Sequence, residues 1–380
     1  MATIATTLPA GTKAKKLEDV GKIPQWKLIL RRFQKSKLSV IALYVLIFFY
    51  LVTIFSDFLA PYPHDQIDTG SSFAAPSKLV SGPKGVGIYG LKQELDQKLF
   101  KWVYTVDPTV IYPIKFFVKG FPYRLLGLIP LDVHLFGIDA PPSTDPAAPS
   151  PKLFLWGADR EGRDLFSRVM KGSQITMSLG FIGVIIAVTI GTLVGTASGY
   201  FGGRMDDIIQ RLVELVQSFP DLPLFLALSA SLPPNVTIEA RFLLITLIIG
   251  LIRWTGLSRE VRGKVLSFRG SDYTNAAKAA GASDWHIITK HMVPNVMSHV
   301  IVVGMLAIPA AIGIETALTF LGLGILPPAV SWGLLIRDAS NMQAVLNYPW
   351  LLLPVAVLLV VVLAFNLLGD GVRDAVDPYA

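Results

Sequence analysis

The 380-residue chain has no cysteine. Disulfides, thiolate metal sites and cysteine nucleophiles are therefore excluded, and any extracytoplasmic part folds without covalent staples. Charge is scarce as well: 16% of residues are charged, against about a quarter in soluble domains. With 52% hydrophobic residues, the chain lacks the polar surface that a soluble protein of this length needs. It reads as an integral membrane protein. A Gly-x-x-x-x-Gly-Lys-Ser/Thr phosphate loop is also missing. The nearest fragment, Gly263-Lys264-Val265, lacks the first glycine and the hydroxyl residue, so ATP is not bound by that device. His286, His291 and His299 are spaced by five and eight residues, unlike a helical metal face. There is no His-Glu-x-x-His, nucleophile elbow or paired acid/base carboxylate. No catalytic residue, metal site or cofactor is read on this chain. The net charge of +7 is not gathered into an aromatic-interleaved patch, so nucleic acid is not an expected partner.

What is present is a series of apolar runs divided by charge. Residues 1–37 hold nine cations, opposed only by Glu18 and Asp19. Leu38–Phe55 then runs 18 residues without charge, longer than the about 7–15 residues of a signal-peptide core. This reads as an uncleaved first span within 38–59, with segment 1–37 on the cytoplasmic side by the positive-inside rule. Residues 60–155 differ in composition, being rich in Pro, Gly, Asp and Lys. A strand-like aromatic run from Lys101 to Leu128 and a Pro-rich linker, Ala140–Pro151, predict a partly β extracytoplasmic insertion. It reads as a cap on the transport mouth or a docking surface for a delivery protein. Segment 156–172 contains five charges in the six residues Asp159–Asp164, so it belongs at the membrane surface. Asp159 and Asp164 are suited to capping the turn that leads into the second span; a catalytic carboxylate pair has no nearby nucleophile or metal ligand to support it.

Residues 173–370 read as a five-helix core. Gly191, Gly195 and Gly199 share one helical face, which lets a neighbouring helix approach closely. The third span, Asp206–Ser231, has Arg211 and Glu214 within pairing reach and a broken centre at Phe219-Pro220 and Leu222-Pro223. Prolines inside a span are tolerated beside a neighbour or a water-filled cavity, which makes Phe219 and Pro220 candidates for a pathway wall. The fourth span runs from about Phe242 to Leu257, followed by a loop over 258–295. Six cations in that loop, against Arg241 and Arg337 in the outer loops, place it on the cytoplasmic side. The fifth span, Val296–Leu321, contains Glu315, read either as a pathway or gate residue or as an interfacial glutamate. The sixth span is Tyr348–Leu368, and 371–380 is a cytoplasmic C-terminus. The expected fold is therefore an all-α integral membrane protein of six transmembrane helices with both termini inside.

Asn275-Ala276-Ala277, then Gly281, then Pro294 resembles the Glu-Ala-Ala…Gly…Pro loop by which ABC-importer permeases grip their ATPases, with Asn275 in place of the glutamate. In such a loop Ala276, Ala277, Ala279 and Ala280 are expected to give a first short helix a small-residue surface for the ATPase, Gly281 to permit the turn, and Pro294 to stop a second helix before the fifth span. Gly157, Asp159, Gly162, Arg163 and Asp164 resemble the Gly-Thr-Asp-x-x-Gly-Arg-Asp segment of the dipeptide, oligopeptide and nickel branch, with Ala158 for the threonine. Glu315, Leu318, Phe320, Leu321, Gly322, Leu323 and Gly324, together with Pro327-Pro328 and Ser331-Trp332-Gly333, fit a further pattern of that branch, as does Gly369–Pro378. The resemblance covers Arg31–Pro63 and Trp156–Pro378. It implies the type I importer-permease fold and a bacterial inner-membrane location. It also implies a second homologous permease, two ATPase subunits that hold ATP and Mg, and an extracytoplasmic solute-binding protein. Peptides are the implied substrate; nickel, opines and oligosaccharides are alternatives within the same architecture. The runner-up class is an ATPase-independent channel or secondary transporter, which leaves loop 271–295 without a purpose.

Overall fold

A backbone in hydrocarbon must satisfy its own N–H and C=O groups, and the apolar runs accordingly fold as long helices. The computed structural model describes residues 25–82, 85–96, 101–138, 151–233 and 235–376. Most of the basic segment 1–37, nearly all of the linker Ala140–Pro151, and residues 377–380 lie outside these. Helix α1 (Gln25–Phe33) leads into α2 (Lys37–Ile54) and the single turn α3 (Ser56–Leu59). Four antiparallel strands follow in the order β1 (Leu79–Gly82), β2 (Gly85–Asp96), β3 (Lys101–Leu125) and β4 (Ile129–Ile138). The long β3 changes partners along its length. Its first half pairs with β2, as Tyr112 with Ile88, and its second half with β4, as Phe116 with Phe136.

The helical part comprises α4 (Leu165–Phe201), α5 (Gly203–Gln217), α6 (Asp221–Ala230), α7 (Ile238–Arg269), α8 (Asp272–Ala279) and α9 (Asp284–Ile287). A π-helical turn, Ile288–Met292, joins α9 to α10 (Val293–Phe320). Then come α11 (Trp332–Asp338), α12 (Met342–Asn347) and α13 (Leu353–Val376). Among the described residues, five helical runs are long and apolar enough to cross a membrane; a sixth is reached if α5 and α6 count as one span.

The break expected at Phe219-Pro220 within Asp206–Ser231 falls between α5 and α6, and the two helices meet at 81°. Pro220 has no N–H to donate and disfavours helical geometry at Phe219. α5 therefore stops at Gln217, and a new helix starts at Asp221. The fourth span differs from expectation. α7 does not end near Leu257 but continues to Arg269, because nothing between Ser258 and Arg269 breaks a helix. At about 1.5 Å per residue, its 32 residues outrun a hydrocarbon core of about 30 Å.

The α4 glycines explain how α4 and α7 pack. A Cβ on Gly191 would sit 2.9 Å from the Trp254 carbonyl oxygen, one on Gly195 2.5 Å from that of Ser258, and one on Gly199 2.8 Å from that of Arg262. Three glycines four apart thus lie against three carbonyls four apart, and any side chain would push the helices apart. The main core forms around this pair, α10 and α13, and includes Met177, Ile249, Ile312 and Phe365. A second cluster of Tyr200, Leu257, Val261, Val265, Ile287, Met292, Val296 and Val300 lies where the far ends of α4 and α7 meet the loop.

Candidate functional site

The loop between α7 and α10 is built by its own caps. The last carbonyls of a helix have no partner within it, and here the loop supplies donors. The hydroxyls of Ser271 and Thr274 donate to the Phe268 carbonyl at 2.6 and 2.9 Å, and Asn275 Nδ2 donates to that of Gly270 at 3.3 Å. At the far end of α8 the chain turns at Gly281, whose φ of +78° suits glycine. The Gly281 N–H donates to Lys278 O at 2.9 Å and the Ala282 N–H to Ala277 O at 3.0 Å. That pair of bonds is a Schellman closure, which brings the residue after the glycine against the one five positions earlier. Ser283 then caps α9 by accepting from the His286 N–H at 3.3 Å.

The closure sets which side chains point outward. Ala277 and Ala282 are half-buried against the second core cluster. Ala277 is therefore not part of the exposed small-residue face expected of it, because the Schellman contact draws it inward. Asn275, Ala276 and Gly281 are exposed, together with Ala279 and Ala280. Trp285 is 74% exposed, and sequence reasoning passed over it. The available signal was a large apolar residue two positions beyond a Ser cap, on a helix whose opposite face, Ile287, is fully buried. Pro294 also differs from expectation. It does not stop a helix before the fifth span, because one helical run continues from Asp284 to Phe320. The π turn just before it widens the backbone where a proline in a regular helix would meet a carbonyl, and Pro294 lies in the first turn of α10.

The end of α4 fastens this loop to the bundle. The hydroxyl of buried Tyr200 donates to Asp284 Oδ1 at 2.6 Å, and Lys278 Nζ lies 5.5 Å from the Tyr200 ring centre. Nearby, Arg262 of α7 holds Asp206 of α5 with two bonds of 2.6 and 2.5 Å. The two halves of the candidate pathway, by contrast, are not brought together. Glu315 is wholly buried, accepting from Thr319 Oγ1 at 2.9 Å and Thr176 Oγ1 at 3.3 Å. Phe219 and Pro220 are exposed at the α5–α6 bend. The expected Arg211–Glu214 pair forms at 3.2 Å on an exposed face.

The charged turn before α4 is a compact knot. Asp159 accepts from the backbone N–H groups of Glu161 (2.8 Å) and Arg163 (3.0 Å), from Arg163 Nε (2.8 Å) and from Arg168 Nη1. Asp159 and Arg168 are both almost fully buried, and Asp338 lies 3.2 Å from Arg168. Gly157 and Gly162 have φ of +79° and +72°. A Cβ on Gly162 would fall 1.7 Å from the Asp68 carbonyl oxygen, so the turn is packed directly on the chain preceding the sheet. Three backbone bonds fix that seam: Asp68 N–H to Glu161 O, Phe73 N–H to Asp159 O, and Ala158 N–H to Ala74 O. Both ends of the insertion are thus held at one place.

Asp164 caps α4, accepting from the Ser167 N–H at 2.8 Å and its hydroxyl at 2.6 Å. Its other oxygen is buried without a partner, and burial pushes its carboxyl up to about 6. A raised carboxyl pKa means that the folded chain binds a proton more readily than the unfolded chain. This contribution to stability is full below about pH 4, the ordinary carboxyl value, and is lost as pH rises to about 6. Asp164→Asn keeps the cap without the charge. Its thermal stability, measured in detergent across that window, is expected to show less decline with pH than that of the unsubstituted chain.

Long apolar helices packed into a bundle, with a tied helical loop at one end, define a helical membrane protein. Residues 166–379 match the family model described as binding-protein-dependent transport system inner membrane component, and residues 24–76 match that of the N-terminal TM domain of oligopeptide transport permease C. The chain belongs to the family of binding-protein-dependent transport system inner membrane components. It is 40% identical over 234 residues to the oligopeptide transport system permease protein OppC of Haemophilus influenzae, covering 61% of this chain and 73% of that one. It is 37% identical over 233 residues to the dipeptide transport system permease protein DppC of Lactococcus lactis, covering 61% and 66%. Among solved structures, a chain of the MetNI methionine ABC transporter aligns with a TM-score of 0.40 and 15% identity, covering 55% of this chain and 96% of that one. That likeness is too low to bear on the fold.

Proposed function

We propose that this chain is one permease subunit of an ATP-driven peptide importer and forms half of the pathway for dipeptides or oligopeptides. The reading is carried by the family match together with relatives named for oligopeptide and dipeptide transport. In this reading the chain spans a bacterial inner membrane six times, with α5 and α6 as one bent span and both termini in the cytoplasm. A homologous permease completes the pathway, two ATPase subunits bind ATP and Mg, and a solute-binding protein delivers substrate on the side of the insertion. The exposed face of α8 and α9, formed by Asn275, Ala276, Ala279, Ala280 and Trp285, is the surface the ATPase holds. When the ATPases close on ATP they pull this face, and the tie from Tyr200 to Asp284 passes the movement to α4.

The substrate is tested by assembling the chain with its partner permease, ATPases and binding protein in proteoliposomes. ATP-dependent accumulation of a labelled di- or oligopeptide is expected. Accumulation of nickel, an opine or an oligosaccharide, with no peptide uptake, would overturn the peptide assignment and leave the importer architecture standing.

A further inference from the structure

The two family models leave residues 77–165 between them, and the β3–β4 hairpin in that stretch has an unusual tip. Leu125 pairs with Ile129 across a three-residue turn, Leu126-Gly127-Leu128. Leu126 has φ of +52° and Gly127 +74°. Left-handed turn positions favour Gly, Asn or Asp, and leucine is strained there. Yet Leu126 is 67% exposed and Leu128 81% exposed, with Ile129 also exposed beside them. A soluble hairpin gains nothing from apolar residues at such positions. Further along the same hairpin, Phe116 and Phe117 are 70% and 68% exposed.

The base of the hairpin is fixed beside the end of α2. The buried His134 ring lies between the carbonyl oxygens of Asp57 (2.8 Å) and Phe121 (3.0 Å). The Phe117 ring lies 6.3 Å from that of Phe58 in α3. α2 exposes Ile41, Tyr44, Phe48 and Leu51, and Phe55 follows at its C-cap; spaced by three and four residues, they form one stripe along the helix. Such a stripe on a helix long and apolar enough to cross a membrane suits hydrocarbon. Three residues beyond Phe55, Phe58 meets Phe117 of the hairpin, where the hairpin's own exposed apolar side chains begin. Between Ile114 and Ile138 the cations Lys115, Lys119 and Arg124 stand against the one acid Asp132. This combination of exposed apolar groups flanked by positive charge suits an anionic bilayer surface.

We propose that the β3–β4 hairpin lies on the membrane, with Leu126 and Leu128 seated among the lipid headgroups and upper acyl chains. It acts as a lateral foot that braces the insertion against the bilayer. The lipid surface is its partner, and the peptide assignment plays no part in the inference.

The absence of cysteine makes the test direct. Leu128→Cys carries a nitroxide in the assembled transporter, reconstituted in nanodiscs containing anionic lipid, with partner-chain cysteines replaced by serine. Lys92→Cys, at a side chain 65% exposed on the same sheet, is the aqueous control. At position 128, collisions with apolar oxygen are expected to exceed those with a water-soluble nickel chelate, and the reverse is expected at position 92. A label at 128 as open to nickel as that at 92 places the tip in water and overturns the proposal. An immobilised label shielded from both reagents places another protein chain over the tip, and overturns it equally.

Discussion

Trp285→Ala is expected to weaken the grip of the ATPase on this chain by about 2–4 kcal/mol, roughly 30- to 1,000-fold in Kd. The side chain is 74% exposed and stands on a short helix whose entry is capped by Ser283 and whose inner face is the fully buried Ile287. An aromatic anchor held on a rigid base and surrounded by small residues is the usual composition of an interface hot spot. Because the ring has little to pack on within this chain, its loss should change thermal stability by no more than about 0.5 kcal/mol. The measurement is ATPase binding to the reconstituted permease, with thermal unfolding of the permease recorded alongside. An unchanged Kd would remove Trp285 from the contact.

Asp159→Ala is expected to cost about 3–5 kcal/mol of stability, the range for removing one partner of a buried ion pair. Asp159 serves two backbone donors and two arginines at once. Without it, the partner that buried Arg168 keeps among the described residues is Asp338, itself partly exposed. The knot that holds Asp68–Ala74 would loosen with it. Expression and thermal unfolding in mild detergent report the loss, and a double variant, Asp159→Ala with Arg168→Met, should recover a substantial part of it. If the double variant is no more stable than Asp159→Ala alone, the stranded charge is not the cause.

Much of this was legible in the sequence because membrane physics acts on composition directly. Runs without charge gave the long helices, and glycines four apart gave the face on which α7 lies. The charges of 159–164, forbidden in hydrocarbon, marked a surface turn, and an acidic residue just before an apolar run marked the cap at Asp164. The remainder depends on contacts distant in sequence. The extent of α7 was hidden because polar residues after Leu257 read as a loop, although they continue a helix beyond the hydrocarbon. Pro220 announced a break but not its angle of 81°. The inward turn of Ala277 follows from two hydrogen bonds around Gly281, which a motif read residue by residue does not convey. Pro294 reads as a helix stop unless the π turn before it is seen. The tie between Tyr200 and Asp284 joins residues 84 apart, and no local pattern announces it.

The central claim is that the exposed face of α8 and α9 is where the ATPase is held. With no native cysteine, Ala280→Cys gives this chain a single thiol on that face, and a short thiol-to-amine crosslinker can be applied to the assembled transporter. The account predicts a crosslink to the ATPase whose yield changes when ATP is bound. No ATPase product from position 280, alongside an efficient one from a cysteine at Lys92 on the sheet, would contradict it.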